Sequence, residues 1–110
     1  MDEIIVNGVT YVKKEKMADK IYMVRSTAGV FYGEIIEEDG NTVTMRNARR
    51  VWYWAGAASL SQLSQEGTKD AENCKFPCIE PFKKIYAVSE LILMTDKSVK
   101  SLNEVAIWKK

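Results

Sequence analysis

Two turn pairs, Asn7-Gly8 and Asp39-Gly40, lie between short runs of strand-forming residues and commit much of the chain to antiparallel hairpins. Asn, Asp and Gly tolerate positive φ, which the corner of a tight hairpin demands. Around the first pair, Ile4-Ile5-Val6 and Val9-Thr10-Tyr11-Val12 are apolar, so the chain opens as a hairpin. Lys13 to Lys20 is a charged run, a solvated connection or a short helical turn. Ile21 to Arg25 then reads as a strand, Ser26-Thr27-Ala28-Gly29 breaks it, and Val30 to Glu37 resumes with β-branched and aromatic residues. Thr42 to Arg46 returns across Asp39-Gly40.

The second half alternates less cleanly. Val51-Trp52-Tyr53-Trp54 is rich in strand formers and leads through Ala55-Gly56-Ala57-Ala58 to Ser59. Ser59 or a neighbour can cap a short helix carrying Leu60 and Leu63 on one face, with Gly67 ending it in the left-handed conformation. Thr68 to Pro81, polar with two prolines, reads as a long surface loop. In Lys84 to Met94 the spacing of Ile85, Val88, Leu91 and Ile92 fits a helix, while β-branched content and bounding turns favour one strand or two. Thr95 or Asp96 can cap a last helix with Val99 and Leu102 inward, and Val105-Ala106-Ile107-Trp108 returns as a terminal strand. The expected fold is α+β: a mostly antiparallel β-sheet with two short α-helices.

At 110 residues the chain is expected to form one domain, 1–110. Its balance of 46% apolar and 28% charged residues is that of a soluble globular protein. A net charge of +1 argues against a long nucleic acid as partner, because each phosphate contact calls for a basic residue. Met1-Asp2-Glu3 followed by a brief apolar run lacks the form of a secretory signal, and no segment is suited to span a bilayer, so a cytosolic protein with no membrane partner is expected. Cys74 and Cys78 are the only cysteines and histidine is absent, which leaves the usual four-ligand zinc site incomplete and reads as two reduced, structural thiols. Ser-His and Cys-His nucleophiles are impossible, and Glu66, Asp70 and Glu72 lie in a polar stretch with nothing to desolvate a carboxylate. The expectation is a binding protein with no catalytic residue, no cofactor and no metal.

Arg46-Asn47-Ala48-Arg49-Arg50-Val51-Trp52-Tyr53-Trp54 packs three arginines and three aromatics into nine positions. If extended, it places Arg50, Trp52 and Trp54 on one face and Arg49, Val51 and Tyr53 on the other. An arginine fork pairs with phosphate oxygens and an indole can stack on a base, so both halves of a nucleotide would find a partner. A packed core with cation–π contacts uses the same residues equally well. The small residues before Ser59 would let an anion approach the unpaired N–H groups of a helix start. Two further candidates are the turn Arg25-Ser26-Thr27-Ala28-Gly29-Val30-Phe31, with Thr27 and Gly29 at its corner, and the loop Asn73-Cys74-Lys75-Phe76-Pro77, where an amide, a cation and an aromatic can close over a ligand. An ordinary turn and a core plug are the alternatives.

The string Ala48-Arg49-Arg50-Val51-Trp52-Tyr53-Trp54-Ala55-Gly56-Ala57-Ala58-Ser59-Leu60-Ser61-Gln62-Leu63, then Glu66-Gly67 and Asn73-Cys74-Lys75-Phe76, resembles the first group of phage Thoeris anti-defence (Tad) proteins. Val24 to Phe31 and the closing Ile107-Trp108-Lys109 are similar to the same family. The likeness spans Met23 to Phe76 plus the end; the opening hairpin and Lys83 to Ser101 are outside it. It implies a sponge for cyclic ADP-ribose isomers of the gcADPR type, the signal that bacterial TIR enzymes make from NAD, captured in the host bacterial cytoplasm without cleavage. It also implies a homodimer or higher homo-oligomer with the pocket near the subunit junction and, in some members, a separate site for cyclic di- or trinucleotides. On this reading Arg49 and Arg50 take the pyrophosphate, Trp52, Trp54 or Phe31 the base, Arg25 a further phosphate contact and Asn73 the ribose, in a closed pocket. The competing readings are a single-stranded nucleic-acid binder, an enzyme with Glu66 or Asp70 as base, and a structural phage protein.

Overall fold

The computed structural model describes the backbone of Ile4–Val6 and Val9–Tyr11 and the whole of residues 20–109. Strands β1 (Ile4–Val6) and β2 (Val9–Tyr11) pair antiparallel, with Ile4 opposite Tyr11; their Asn7-Gly8 turn and residues 13–19 of the charged run lie outside the described residues. Five more strands form one antiparallel sheet: β3 (Ile21–Ser26), β4 (Gly29–Asp39), β5 (Thr42–Arg50), β6 (Ile79–Ile85) and β7 (Val88–Leu93), in the order β6-β5-β4-β3-β7. With helices α1 (Leu60–Glu66) and α2 (Asp96–Asn103), the fold is α+β.

The sheet is rolled. Its two edge strands, β6 and β7, are separated in sequence by Tyr86 and Ala87 alone, so the edges must converge at that end. The Val88 N–H donates to the Asn41 carbonyl at 2.8 Å, tying the start of β7 to the tip of the β4–β5 hairpin. Bending of the long β4 occurs where its register with β5 shifts, between Tyr32 and Glu34 and again between Ile35 and Glu37. Asn47 takes φ 53° opposite the first shift. Gly33 faces it, and a Cβ there would lie 2.9 Å from the Asn47 carbonyl oxygen, so the two strand backbones approach more closely than any side chain allows.

Rolling gives the sheet two buried faces. Neighbouring residues on a strand point to opposite sides, yet Met23 and Val24 are both buried, as are Phe31 and Tyr32. Val24, Phe31, Val43, Met45, Ala48 and Ile85 fill the inside of the roll. Met23, Tyr32, Val51, Leu60, Leu63, Phe76, Leu102 and Val105 form a second core under the helices. Double burial explains the near-continuous apolar runs.

Thr95 caps α2, its hydroxyl accepting from the Ser98 N–H at 3.0 Å, and Leu102 is buried as its periodicity requires. Gly67 closes α1 with a positive φ, 80°, but its ψ of −161° is outside the left-handed helical region expected of it. Three expectations are corrected. Val51 to Trp54 is no sheet strand, because β5 ends at Arg50 and only Tyr53 bridges Lys75. Thr68 to Pro81 is not all loop: it holds a 3₁₀ turn, Ala71–Asn73, and Pro81 sits in β6, tolerated there because an edge strand has one unpaired side. Lys84 to Met94 is strand, as its β-branched content favours: the end of one strand and all of another. Val105 to Trp108 forms only a parallel bridge, Ile107 with Phe76.

Candidate anion site

Arg49 and Arg50 leave β5 on opposite faces and meet opposite fates. Arg49 points under the helices and is 3% exposed. Its Nε donates to the Pro77 carbonyl at 2.9 Å, Nη1 to Leu102 O at 3.3 Å and the Tyr32 hydroxyl at 3.5 Å, and Nη2 to Val105 O at 2.8 Å and Phe76 O at 3.3 Å. Its guanidinium also lies 5.3 Å from the Phe76 ring centre. Both Nη atoms and Nε are engaged within the fold, so Arg49 is a clamp joining β5, residues 76–77 and the C-terminal end of α2, where carbonyl dipoles favour a cation. Burial pushes the neighbouring Tyr32 hydroxyl above its ordinary pKa, partly offset by the hydrogen bond and charge of Arg49.

Arg50 points to the inner face and remains half-buried. Its guanidinium carbon sits 4.5 Å from the centre of the Phe31 ring, the residue paired with it across β4. Nη1 donates to the Ala28 carbonyl at 2.9 Å. Gly29 makes that contact possible: its φ is 134°, and a Cβ would stand 2.9 Å from the same Nη1. Of the cluster's three arginines, Arg46 is held by Glu34 at 3.7 Å and Arg49 by carbonyls. Arg50 has no carboxylate partner among the described residues, and its remaining donors are open to a ligand. Lys83 also lies over Phe31, its ammonium 5.4 Å from the ring centre, and is paired with Glu80.

Trp52 is 62% exposed and Tyr53 is also exposed, whereas Trp54 packs against the helix-side core near Val51. The expected alternation therefore ends with the strand at Arg50. Backbone bonds from Trp52 N and Tyr53 N to the Lys75 carbonyl, both 3.2 Å, lay the Asn73 to Phe76 loop beside this run. The Lys75 ammonium stands 5.8 Å from the ring centres of both Tyr53 and Trp108. Phe76 plugs the core and meets Tyr32 edge-on at 6.2 Å, while the Asn73 amide donates to both carboxylate oxygens of Asp70 at 3.0 Å.

In the turn, the Ser26 hydroxyl accepts from the Ala28 N–H at 3.0 Å and Thr27 is exposed. Arg25 pairs with Glu90 at 3.6 Å and sits opposite Val30, which packs on the helix-side core, so it projects from the other face of the sheet. Ser59 uses its hydroxyl to cap α1, accepting from the Gln62 N–H at 3.1 Å. Thus Gly29, Phe31 and Arg50 converge, with the turn at Thr27 alongside and Trp52 two residues on. Arg25, Ser59, Asn73 and Phe76 are engaged elsewhere.

A hollow of about 360 Å³ is lined by Ala71, Glu72, Cys74, Glu104, Ala106, Ile107 and Trp108. Its carboxylates make it unsuited to an anion, and none of the arginines lines it. Cys74 is buried and Cys78 exposed, both unbridged, so only the first serves as packing. Among the described residues no group of three His, Cys, Asp or Glu side chains is placed to hold a metal ion, and no helix is long and apolar enough to cross a membrane.

A family model for a domain of unknown function, DUF6948, matches residues 19–102, from the approach to β3 through most of α2. The chain belongs to the DUF6948 family. No curated protein and no solved structure matches it. The DUF6948 match embraces the rolled sheet, α1, α2 up to Leu102 and every residue of the Arg50 site. Lys83 has no local signal in the sequence, because only the β5–β6 register carries it to Phe31.

Proposed function

We propose that this protein binds a small phosphate-bearing nucleotide at Arg50 and Trp52 and holds it without chemical change. The observation that carries the reading is the Arg50 guanidinium, seated on Phe31, fixed by the Ala28 carbonyl and without a carboxylate partner among the described residues. A guanidinium already held in place loses little freedom when it clamps a phosphate. Trp52 offers the exposed indole on which a base can stack. Phe31 supports the cation, Gly29 and Thr27 border it, and Arg49 and Phe76 hold the frame.

The likeness to Thoeris anti-defence proteins supplies the ligand class, a cyclic ADP-ribose isomer sequestered in the host bacterial cytoplasm before it reaches its effector. Arg50 lies at an open surface, and burying a ligand there calls for a second copy of the chain, in keeping with the homo-oligomer that the likeness implies. Arg25, Trp54, Ser59 and Asn73 join the pocket only through such a copy or through rearrangement. Cyclic di- or trinucleotides would need a site of their own, to which no residue is assigned.

The test is capture and release. The protein is incubated with the cyclic product of a TIR enzyme, filtered and heat-denatured, and the released material is identified. Intact ligand supports the reading, converted ligand makes the protein an enzyme, and no ligand refutes both. Arg50→Ala should weaken capture by about 1.5–3 kcal/mol, the worth of a charge-assisted hydrogen bond; undiminished capture removes Arg50 from the site. A shift of short single-stranded DNA at low salt, with no capture of the cyclic product, would favour a nucleic-acid binder instead.

A further inference from the structure

The geometry points to Lys83 as a second phosphate-binding cation of the Arg50 site, held in place by Glu80 until an anion arrives; this rests on the Arg50 reading. Lys83 lies on edge strand β6, opposite Met45, and its side chain is only 20% exposed. Lysine normally keeps its ammonium in water. Here the ammonium stands 5.4 Å from the centre of the Phe31 ring, which also carries the Arg50 guanidinium at 4.5 Å. Two cations thus share one aromatic ring that is itself fully buried.

Their charges are unevenly matched. Glu80 pairs with Lys83, and among the described residues no carboxylate pairs with Arg50, so the group of Arg50, Lys83 and Glu80 carries one net positive charge. Like charges drawn to the same ring repel each other, and an anion that reaches both relieves that repulsion. A pyrophosphate suits the arrangement: the planar guanidinium can take two oxygens of one phosphoryl group, and the ammonium, a point charge on a flexible stem, the other. Glu80 is 43% exposed on its side chain and can turn to solvent when phosphate replaces it on Lys83. The ligand class is therefore a diphosphate ester, with Glu80 acting as a built-in competitor.

A merely structural ion pair and a ligand-binding cation differ in the sign of their response. Inorganic pyrophosphate and ADP are titrated calorimetrically, at low salt, into the full chain and into Lys83→Met, Glu80→Gln and Arg50→Ala variants, with thermal melts as folding controls. Lys83→Met should weaken both ligands about tenfold, and Glu80→Gln should tighten them several-fold by removing the competing carboxylate. Glu80→Gln leaves a near-isosteric side chain and keeps the test valid if Lys83→Met fails to fold. If Arg50→Ala abolishes binding while the Lys83 and Glu80 variants match the wild type, the pair is structural, and Lys83 is excluded though the Arg50 reading stands. Absence of any binding to the wild-type protein overturns both.

Discussion

Replacing Arg49 by methionine tests whether a buried arginine in this fold is a clamp. Four backbone carbonyls accept from it, but they do not depend on it equally. Phe76 O also receives the Trp108 N–H at 2.9 Å, and Leu102 O the Val105 N–H at 3.1 Å. Pro77 O and Val105 O have no other donor among the described residues. Methionine fills the space of the aliphatic stem and leaves those two carbonyls unsatisfied, at about 1–3 kcal/mol each. The expected loss is about 2–6 kcal/mol, a large share of the roughly 5–15 kcal/mol that holds a domain together. Urea unfolding followed by tryptophan fluorescence measures it. Arg49→Lys should recover part of the loss, because an ammonium cannot span the fork that joins residues 76–77 to the end of α2. Arg50→Met, at a half-exposed side chain with a single carbonyl partner, should cost less than about 1 kcal/mol. A loss below about 1 kcal/mol for Arg49→Met, or full stability with lysine, would refute the clamp.

Tyr32 makes stability fall in alkali. Its hydroxyl is pushed above the usual tyrosine value of about 10, so its contribution is complete below that pH and is lost as pH rises through the folded-state pKa; Tyr32→Phe should flatten the decline above about pH 10 in urea melts. Gly33→Ala places a Cβ within 3.1 Å of three backbone atoms of β5 and should cost about 1–3 kcal/mol by thermal unfolding, so a variant as stable as the wild type would remove the close approach from the account of the bend. Trp52→Ala should leave stability within about 0.5 kcal/mol while weakening nucleotide capture by about 1–3 kcal/mol. Trp54→Ala should lower stability instead, and the reverse pattern would exchange the roles of the two tryptophans.

Local signals carried the elements whose causes are local. Asp39-Gly40 marks the β4–β5 corner because a tight turn needs residues that accept its backbone angles. Thr95 and Ser59 start their helices because a hydroxyl three residues ahead of an amide can cap it. The arginine and aromatic run was conspicuous by composition. What each member does was not, because a strand sends Arg49 and Arg50 to opposite faces and the sequence does not say that both faces are covered. Phe31 and Phe76 looked like ligand contacts, yet both are core, since aromatic area is used to fill the two layers beside β4.

From the sequence alone came the α+β class, the hairpins and helix caps, and the density of cations and aromatics between Arg46 and Trp54. These follow from turn angles, hydrogen-bond reach and residue type within a few positions. Only the tertiary structure decided that Arg49 is a clamp and Arg50 an open cation, that Trp52 rather than Trp54 faces solvent, and that Lys83 joins Phe31 from more than thirty residues after Arg50. The roll of the sheet sets the first and the last, because it buries both faces and brings distant strands into register, while the end of β5 at Arg50 releases the tryptophans from alternation; no pattern local to one strand encodes which neighbour it will meet.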